Sequence, residues 1–517
     1  MDQADETIPD LFLRTVATHG SRPAIIGPDL PVTYDQLHDR VLRAAATLAS
    51  AGVEAGDRIA IWLPNSPEWI EAGLAAAFLG AVVVPISTRL KADEVSYILN
   101  KARPAVVIGI GAFLGVDYTR LLDSQTLPDI KAWFRVGAGD PRWTDWSEAL
   151  ASAPGAQIAA VPGMARAIKP SDIAEIMFTS GTTGFPKGAM LRHAQIVRAY
   201  RLWAAKLGLR STDRYLIIAP MFHSFGYKAG VIASIAAGAA MYPLATFDAA
   251  TVLQIIETEA ITVTGGPPTI FLSLLAENRS AGRNIKSLRA IGTGGNIVPP
   301  DMIRALGREA AVTTVLNAYG LTESTALVTV TDPGDDPERI ALTAGPAIDG
   351  VEVRCADRGD RPVPTGEAGE IQVRGYNVMA GYFEDGEATR RTITPDGWLK
   401  TGDVGVLDAL GYLKITDRMK DIYVVGGFNC YPAEIERLIT DYPAVDQVAV
   451  VGIPDERMGE VGRAFVVPKN RDGFDKSDFL SWCRQKMANY KVPRDVQIVD
   501  ALPRNAMGKV QKFLLRA

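Results

Sequence analysis

Apolar residues recur along the first half of the chain at two periods. From Thr33 to Ala51 they fall at helical spacing, at Tyr34, Leu37, Val41-Leu42, Ala45 and Leu48. Thr33, with Gln36 three residues on, has the form of a helix start. Arg58 to Leu63 then reads as a buried strand, and Asn65-Ser66-Pro67 opens a helix running through Phe78. Ala81 to Pro85 and Ala105 to Ile108 are two more strands, and the rhythm returns at Tyr215–Ala219, Ala260–Thr264, Ala290–Thr293 and Thr314–Leu316. Strand, helix and strand with short links predict right-handed βαβ units around a mostly parallel sheet.

Beyond about Val330 the texture changes to short strands between glycine and proline turns, at Val351–Cys355, Gly369–Val373 and Gly411–Thr416. A charged break, Asp417 to Asp421, follows. After it come strand Ile422–Val425, helix Pro432–Thr440, strands Gln447–Val451 and Gly462–Val467, and helix Lys476–Met487. The pattern predicts an α/β protein: a large N-terminal body of α/β subdomains over residues 1–419, with a small β-rich subdomain at about 330–417, then a small α+β C-terminal domain over 420–517. The most apolar stretch, Ala229 to Ala245, is interrupted by Gly230, Gly238 and Pro243 and falls short of the ~20 apolar residues of a spanning helix. It reads as a buried helix, a glycine turn and a strand ending at Met241-Tyr242.

Composition adds limits. A length of 517 residues exceeds one compact domain, and 47% hydrophobic with 22% charged residues is ordinary globular usage. The net charge of −5 excludes bulk attraction to nucleic acid or anionic lipid. The start, Met1-Asp2-Gln3-Ala4-Asp5-Glu6, lacks the basic and apolar parts of a signal peptide. Three cysteines without a CxxC pair fit a reducing cytoplasm, and four histidines without ligand spacing predict no structural zinc.

The sharpest local signal is Phe178-Thr179-Ser180-Gly181-Thr182-Thr183-Gly184-Phe185-Pro186-Lys187-Gly188. Glycines let backbone N–H groups approach an anion, hydroxyls donate to phosphate oxygens, and Lys187 adds charge. It is not the GxxxxGK[ST] loop, because Gly188 follows the lysine. Four further segments stand in order behind it: Asn317-Ala318-Tyr319-Gly320-Leu321-Thr322-Glu323, Trp398 to Asp403, Asp417 to Glu436, and Pro503 to Lys509. Together the five resemble the motifs of the adenylate-forming superfamily: acyl-CoA synthetases, aryl-CoA ligases, luciferases and peptide-synthetase adenylation domains. Residues before Phe178 carry no motif of that family, only a compatible β/α pattern.

The resemblance implies that the chain joins an acid to ATP, giving an acyl-adenylate and pyrophosphate, after which the thiol of coenzyme A displaces AMP. A carboxylate has no good leaving group until adenylation supplies one. By position in the motifs, Thr179, Ser180, Gly181, Thr182, Thr183 and Lys187 hold the β- and γ-phosphates. Glu323 matches the ligand of Mg²⁺, a hard ion suited to a carboxylate shared with phosphates. Thr322 matches a donor to the α-phosphate. Tyr319 would stack on adenine with Gly294, Gly295 and Asn296 across from it, and Asn317 and Gly320 belong to the same nucleotide segment. Asp403 and Arg418 match the ribose contacts. Lys509 matches the catalytic lysine that meets the α-phosphate and the acid's carboxylate. Lys420 matches a hinge about which the C-terminal domain alternates between two poses, and in the second pose Gly426 and Gly427 would line the thiol's tunnel.

The acid itself is less legible. His223 and Phe225, in Met221 to Gly226, match the family's histidine segment beside the carboxylate. Gly265, Gly266 and Asn296 should form further walls, and the paired glycines suggest width. Lys228 has two readings: reaching a second polar group on the acid or, the favoured one, snorkelling to solvent. The length resembles short-to-medium-chain, aryl and steroid-fragment ligases more than long-chain ones.

An AMP-forming acid–CoA ligase is the leading reading. Its rivals are an enzyme loading a carrier protein, one activating nitrite for diazotisation of an arylamine, and a non-catalytic binding module. The last is disfavoured by the intact Lys187, Glu323, Asp403 and Lys509. The expected partners are the acid, ATP and coenzyme A, with neither nucleic acid nor stable membrane insertion, in a monomer or homodimer. On this assignment Lys509→Ala abolishes adenylate formation, read as acid-dependent pyrophosphate release. It largely spares thiolysis of a preformed adenylate, and wild-type release from the variant would refute the role.

Overall fold

The computed structural model describes residues 6–27, 31–179, 186–295, 298–418, 421, 423–425, 428–430, 432–455, 458–487, 489–504 and 510–516. Two compact units divide the chain. The first comprises 1–352 and 373–399, the second 353–372 and 400–517.

Two eight-stranded sheets build the first unit. Sheet I runs Gly381–Tyr382, Lys187–Arg192, Ile173–Thr179, Val82–Pro85, Arg58–Trp62, Val106–Ile110, Ala132–Val136, Thr144–Asp145. Its inner strands pair in parallel, as at Ile59↔Val83 and Ile59↔Val106. Both faces of such strands are covered, which is why Arg58–Trp62 and Val82–Pro85 read as apolar runs rather than alternations. The helix over Tyr34–Ser50 opens with Thr33 and Gln36 capping each other, and the helix over Pro67–Phe78 opens on Ser66, whose hydroxyl accepts from Trp69 N–H. The helix Ala92–Ala102 buries Val95, Ile98 and Leu99 in a core with Ala60, Trp62 and Val84.

Sheet II runs Thr329–Val330, Thr314–Tyr319, Ala290–Gly294, Val263–Gly265, Arg214–Ile217, Ala240–Pro243, Pro23–Ile25, Val32–Thr33. Six of these strands, from Thr314–Tyr319 to Pro23–Ile25, are parallel neighbours. Leu216, Ile291 and Val315 share a core with Val252, Ile256, Phe271 and Met302 from the connecting helices. The expected strands are all present within a few residues. The expected buried helix after Ala229 begins earlier, as a π-helix over Phe225–Ile232. It continues as an α-helix over Ala233–Ala237, turns at Gly238 (φ 68°) and enters the strand Ala240–Pro243. No helix among the described residues is long and apolar enough to cross a membrane.

The second unit contains most of a four-stranded sheet, Val351–Ala356, Gly369–Gly375, Leu399–Leu407, Leu413–Arg418. The strand Leu399–Leu407, which carries the Thr401-Gly402-Asp403 motif, was not among those expected from the apolar pattern. A five-stranded sheet follows. Val445–Asp455 and Gly459–Pro468 form a long antiparallel pair, and Tyr423–Val425, Phe428–Cys430 and Asp495–Ile498 complete the sheet. Ile435, Ile439, Phe479 and Cys483 from its helices fill the core. All three cysteines are buried free thiols.

The π-helix depends on Gly226. A Cβ there would stand 2.2 Å from the Pro220 carbonyl oxygen and 2.3 Å from that of Ala219. Backbone cannot yield as a side chain end would, so Gly226→Ala is expected to cost about 1–3 kcal/mol. It should lower the thermal unfolding midpoint, and an unchanged midpoint would show that the turn relaxes freely.

Candidate active site

Strands Ile173–Thr179 and Lys187–Arg192 are antiparallel neighbours whose last pair is Thr179↔Lys187. The glycine- and hydroxyl-rich segment therefore joins two strands, whereas the GxxxxGK[ST] loop joins a strand to a helix. Ser180, Gly181, Thr182 and Thr183 lie outside the described residues, as do Asn296, Lys420, Gly426, Gly427 and Lys509.

Around that closing pair the structure gathers Thr179, Lys187, Glu323 and Tyr382. Thr179 Oγ1 lies 3.3 Å from Glu323 Oε1, and the Tyr382 hydroxyl donates to the same oxygen at 2.9 Å. Lys187 Nζ stands 5.3 Å above the centre of the Tyr382 ring. Burial first, then the Glu323 carboxylate, raises the Tyr382 phenol well above its usual range. The phenol thus keeps its proton and remains a donor. Tyr382 was not singled out from the sequence, because it lies outside the five motifs; only its pairing with Ala189, in the next strand, brings it here.

Glu323 is presented by a turn under strain. Thr322–Ser324 is a 3-10 turn, and Thr325 and Ala326 follow with φ of 58° and 62°, left-handed backbone in residues that carry Cβ atoms. Hydrogen bonds hold it. Thr325 Oγ1 donates to Asn377 O at 2.7 Å, Tyr200 Oη donates to Thr325 O at 3.0 Å, and Met379 N–H donates to Glu323 O at 2.8 Å. Among the described residues no group of three or more His, Cys, Asp or Glu could hold a metal. One carboxylate flanked by two hydroxyls is nonetheless the hard-oxygen set expected where Mg²⁺ is shared with phosphates.

The residues expected beside adenine sit at the ends of two neighbouring strands of sheet II, with Gly294 paired to Ala318. A Cβ on Gly294 would meet Ala318 O at 2.4 Å, and one on Gly320 would meet the Ala326 backbone at 2.3 Å. Gly295 has φ 77° with open space where a Cβ would be. Tyr319 is buried. Asn317 Nδ2 donates to Ile340 O and Thr343 O, both at 2.9 Å, so its amide nitrogen serves the fold. In the second unit, Asp403 is buried and paired in register with Arg418 across a hairpin, which brings the two ribose candidates opposite each other. Thr401 Oγ1 fixes the motif by donating to Ile371 O and accepting from Asp403 N–H.

Of the residues expected beside the acid, His223 follows the strand Arg214–Ile217. Its Nδ1 accepts from Phe225 N–H at 3.3 Å, which leaves the proton of the neutral ring on Nε2. Enclosing protein, and secondarily the Lys228 ammonium, push its pKa down to about 4, so the ring is neutral near pH 7. Asn65, another residue the motifs did not reveal, clamps this segment. Its Nδ2 donates to Ile217 O and Ala219 O, and its Oδ1 accepts from Met221 N–H at 2.7 Å.

Two expectations fail here. Lys228 does not snorkel. It is wholly buried and ion-paired to Glu175 at 2.6 Å, because the π-helix turns it inward toward sheet I. Nor do the glycines leave width. The Cβ position of Gly265 is 2.9 Å from both the Phe225 ring and Tyr215 Oη, that of Gly266 is 2.8 Å from Ile270, and that of Gly292 is 2.4 Å from Trp203. Neighbouring side chains occupy that space.

Comparison with known proteins agrees with this geometry. The AMP-binding enzyme family matches residues 12–383, and the AMP-binding enzyme C-terminal domain matches 434–509. A Mycobacterium tuberculosis protein, 3-[(3aS,4S,7aS)-7a-methyl-1,5-dioxo-octahydro-1H-inden-4-yl]propanoyl:CoA ligase, is 44% identical over 99% of this chain and 98% of its own. Feruloyl-CoA synthase of Amycolatopsis is 36% identical over 94% of this chain and 93% of its own. Among solved structures, the anthranilate CoA ligase AuaEII with anthranoyl-AMP superposes with a TM-score of 0.87 at 27% identity, covering 100% of this chain and 98% of that one. The phosphate-loop strands, the Glu323 turn and these relatives agree: the chain belongs to the AMP-binding enzyme family and is an AMP-forming acid–CoA ligase.

Proposed function

We propose that the acid is a compact, fused-ring propanoic acid of the dioxo-octahydroindenyl type. One observation carries the reading. Two ligases named for that acid, from Mycobacterium tuberculosis and Rhodococcus jostii, are 44% and 43% identical over essentially the whole chain, against 36% for the feruloyl-CoA synthase and for a long-chain-fatty-acid–CoA ligase of M. tuberculosis.

In this reading Thr179 and Lys187 hold the outer phosphates and Thr322 the α-phosphate. Glu323, steadied by Tyr382, faces Mg²⁺, which supplies charge neutralisation when bound. Asp403 and Arg418 hold the ribose. Neutral His223 offers Nε2–H to the carboxylate, steering it without adding charge. Lys509 neutralises charge developing between carboxylate and α-phosphate. Residues from Lys420 onward act as a lid that turns between adenylation and thiolysis, with Gly426 and Gly427 admitting the thiol. Buried free thiols suit a reducing, cytoplasmic setting.

Pyrophosphate release with ATP and Mg²⁺ tests the substrate, using the bicyclic propanoate, ferulate, straight-chain acids and nitrite, each with and without coenzyme A. The bicyclic acid should lead in kcat/KM by about tenfold or more, with CoA-dependent turnover. Equal or better use of ferulate or a long chain overturns the substrate assignment. Nitrite turnover independent of coenzyme A overturns the thioester chemistry. Tyr382→Phe removes one hydrogen bond to a charged oxygen, worth about 1.5 kcal/mol, and should raise KM for MgATP about tenfold with the fold intact. An unchanged KM would remove Tyr382 from the site.

A further inference from the structure

Among the described residues of the first unit, the most deeply buried charges are Glu175 and Lys228. Glu175 lies within the strand Ile173–Thr179 of sheet I, with its side chain 1% exposed. Lys228 lies in the π-helix between the sheet II strands Arg214–Ile217 and Ala240–Pro243, with its side chain 0% exposed. Lys228 Nζ is 2.6 Å from Glu175 Oε2 and donates to Ser224 Oγ at 2.9 Å. Ser224 Oγ in turn lies 3.1 Å from Met177 Sδ, back on the strand of sheet I. The cluster therefore ties the strand of sheet I to the start of the π-helix at two points.

Stability is a poor reason for such a pair. Each ion loses several kcal/mol of hydration on burial, and apolar residues of similar volume commonly serve a core as well or better. A buried pair does supply a fixed geometry, because neither partner can leave the other. Its two ends are well placed for that. Glu175 shares a short strand with Thr179, the first residue of the phosphate segment. Ser224 is the residue after His223.

We propose that Glu175, Lys228 and Ser224 form a positioning device that sets the histidine segment against the phosphate-binding strand, so that the acid's carboxylate and the α-phosphate of ATP meet in reactive register. None of the three touches substrate; they act through Thr179 and His223, so the inference rests on the roles proposed for those two.

The test is a shape-matched, uncharged replacement, Glu175→Leu with Lys228→Met, in the full-length enzyme. The double variant should keep its unfolding midpoint within about 3 °C of wild type. Its kcat for acid-dependent pyrophosphate release should fall about tenfold to a hundredfold, the scale of an ångström's misplacement, with KM for MgATP within about twofold. Ser224→Ala, which keeps both charges, should lower kcat about threefold to fivefold at unchanged KM. A double variant with wild-type kcat overturns the proposal, as does a loss of kcat matched by a loss of folded protein. Should the double variant fail to fold, wild-type kcat in Ser224→Ala overturns it. His223→Ala separates the two readings. If that variant adenylates normally, the role of His223 is wrong; if it is impaired while the double variant is not, the positioning role is wrong.

Discussion

An ion taken out of water must find its counter-ion or lose its charge, and that rule governs how the two large sheets of this ligase meet. Glu175 stands on a strand of sheet I and Lys228 on the π-helix between two strands of sheet II, and neither has solvent to fall back on. Their contact fixes the spacing of the seam more narrowly than apolar packing could, since apolar side chains tolerate sliding. Asn65 adds a second polar tie by gripping two carbonyls and one N–H at the end of a neighbouring sheet II strand. Between them these ties bracket the stretch from Ile217 to Lys228, the same stretch that presents His223.

The Glu323 turn follows a different logic. Thr325 and Ala326 sit in left-handed backbone, which costs energy for residues that carry Cβ atoms. Bonds from Tyr200, to Asn377 and from Met379 hold the turn from three directions. The turn that carries the Glu323 carboxylate is thus held in place by the fold itself.

Much of this was legible in the chain. Helical and strand periods located the parallel strands, and the Thr33 and Ser66 caps marked helix starts. What the motifs missed were residues whose meaning lies across the fold. Glu175 is a lone acid in an apolar strand and Lys228 a lone base in an apolar helix. Each taken singly reads as a side chain seeking water; only the inward turn of the π-helix makes them a pair. Tyr382 reaches Glu323 through strand pairing, which no local pattern reports. The glycines misled for a related reason: a missing side chain records space in the backbone but not what occupies it.

The filled glycine positions constrain the order in which their neighbours can change. Trp203 fills the space over Gly292, and Phe225 with Tyr215 fills that over Gly265. A glycine replaced first would strike an aromatic ring, while an aromatic replaced first would open a cavity that a later side chain could fill. Substitution here is thus ordered, ring before glycine, and once the glycine has gained a side chain the ring cannot return without a clash. The interlock works as an evolutionary ratchet.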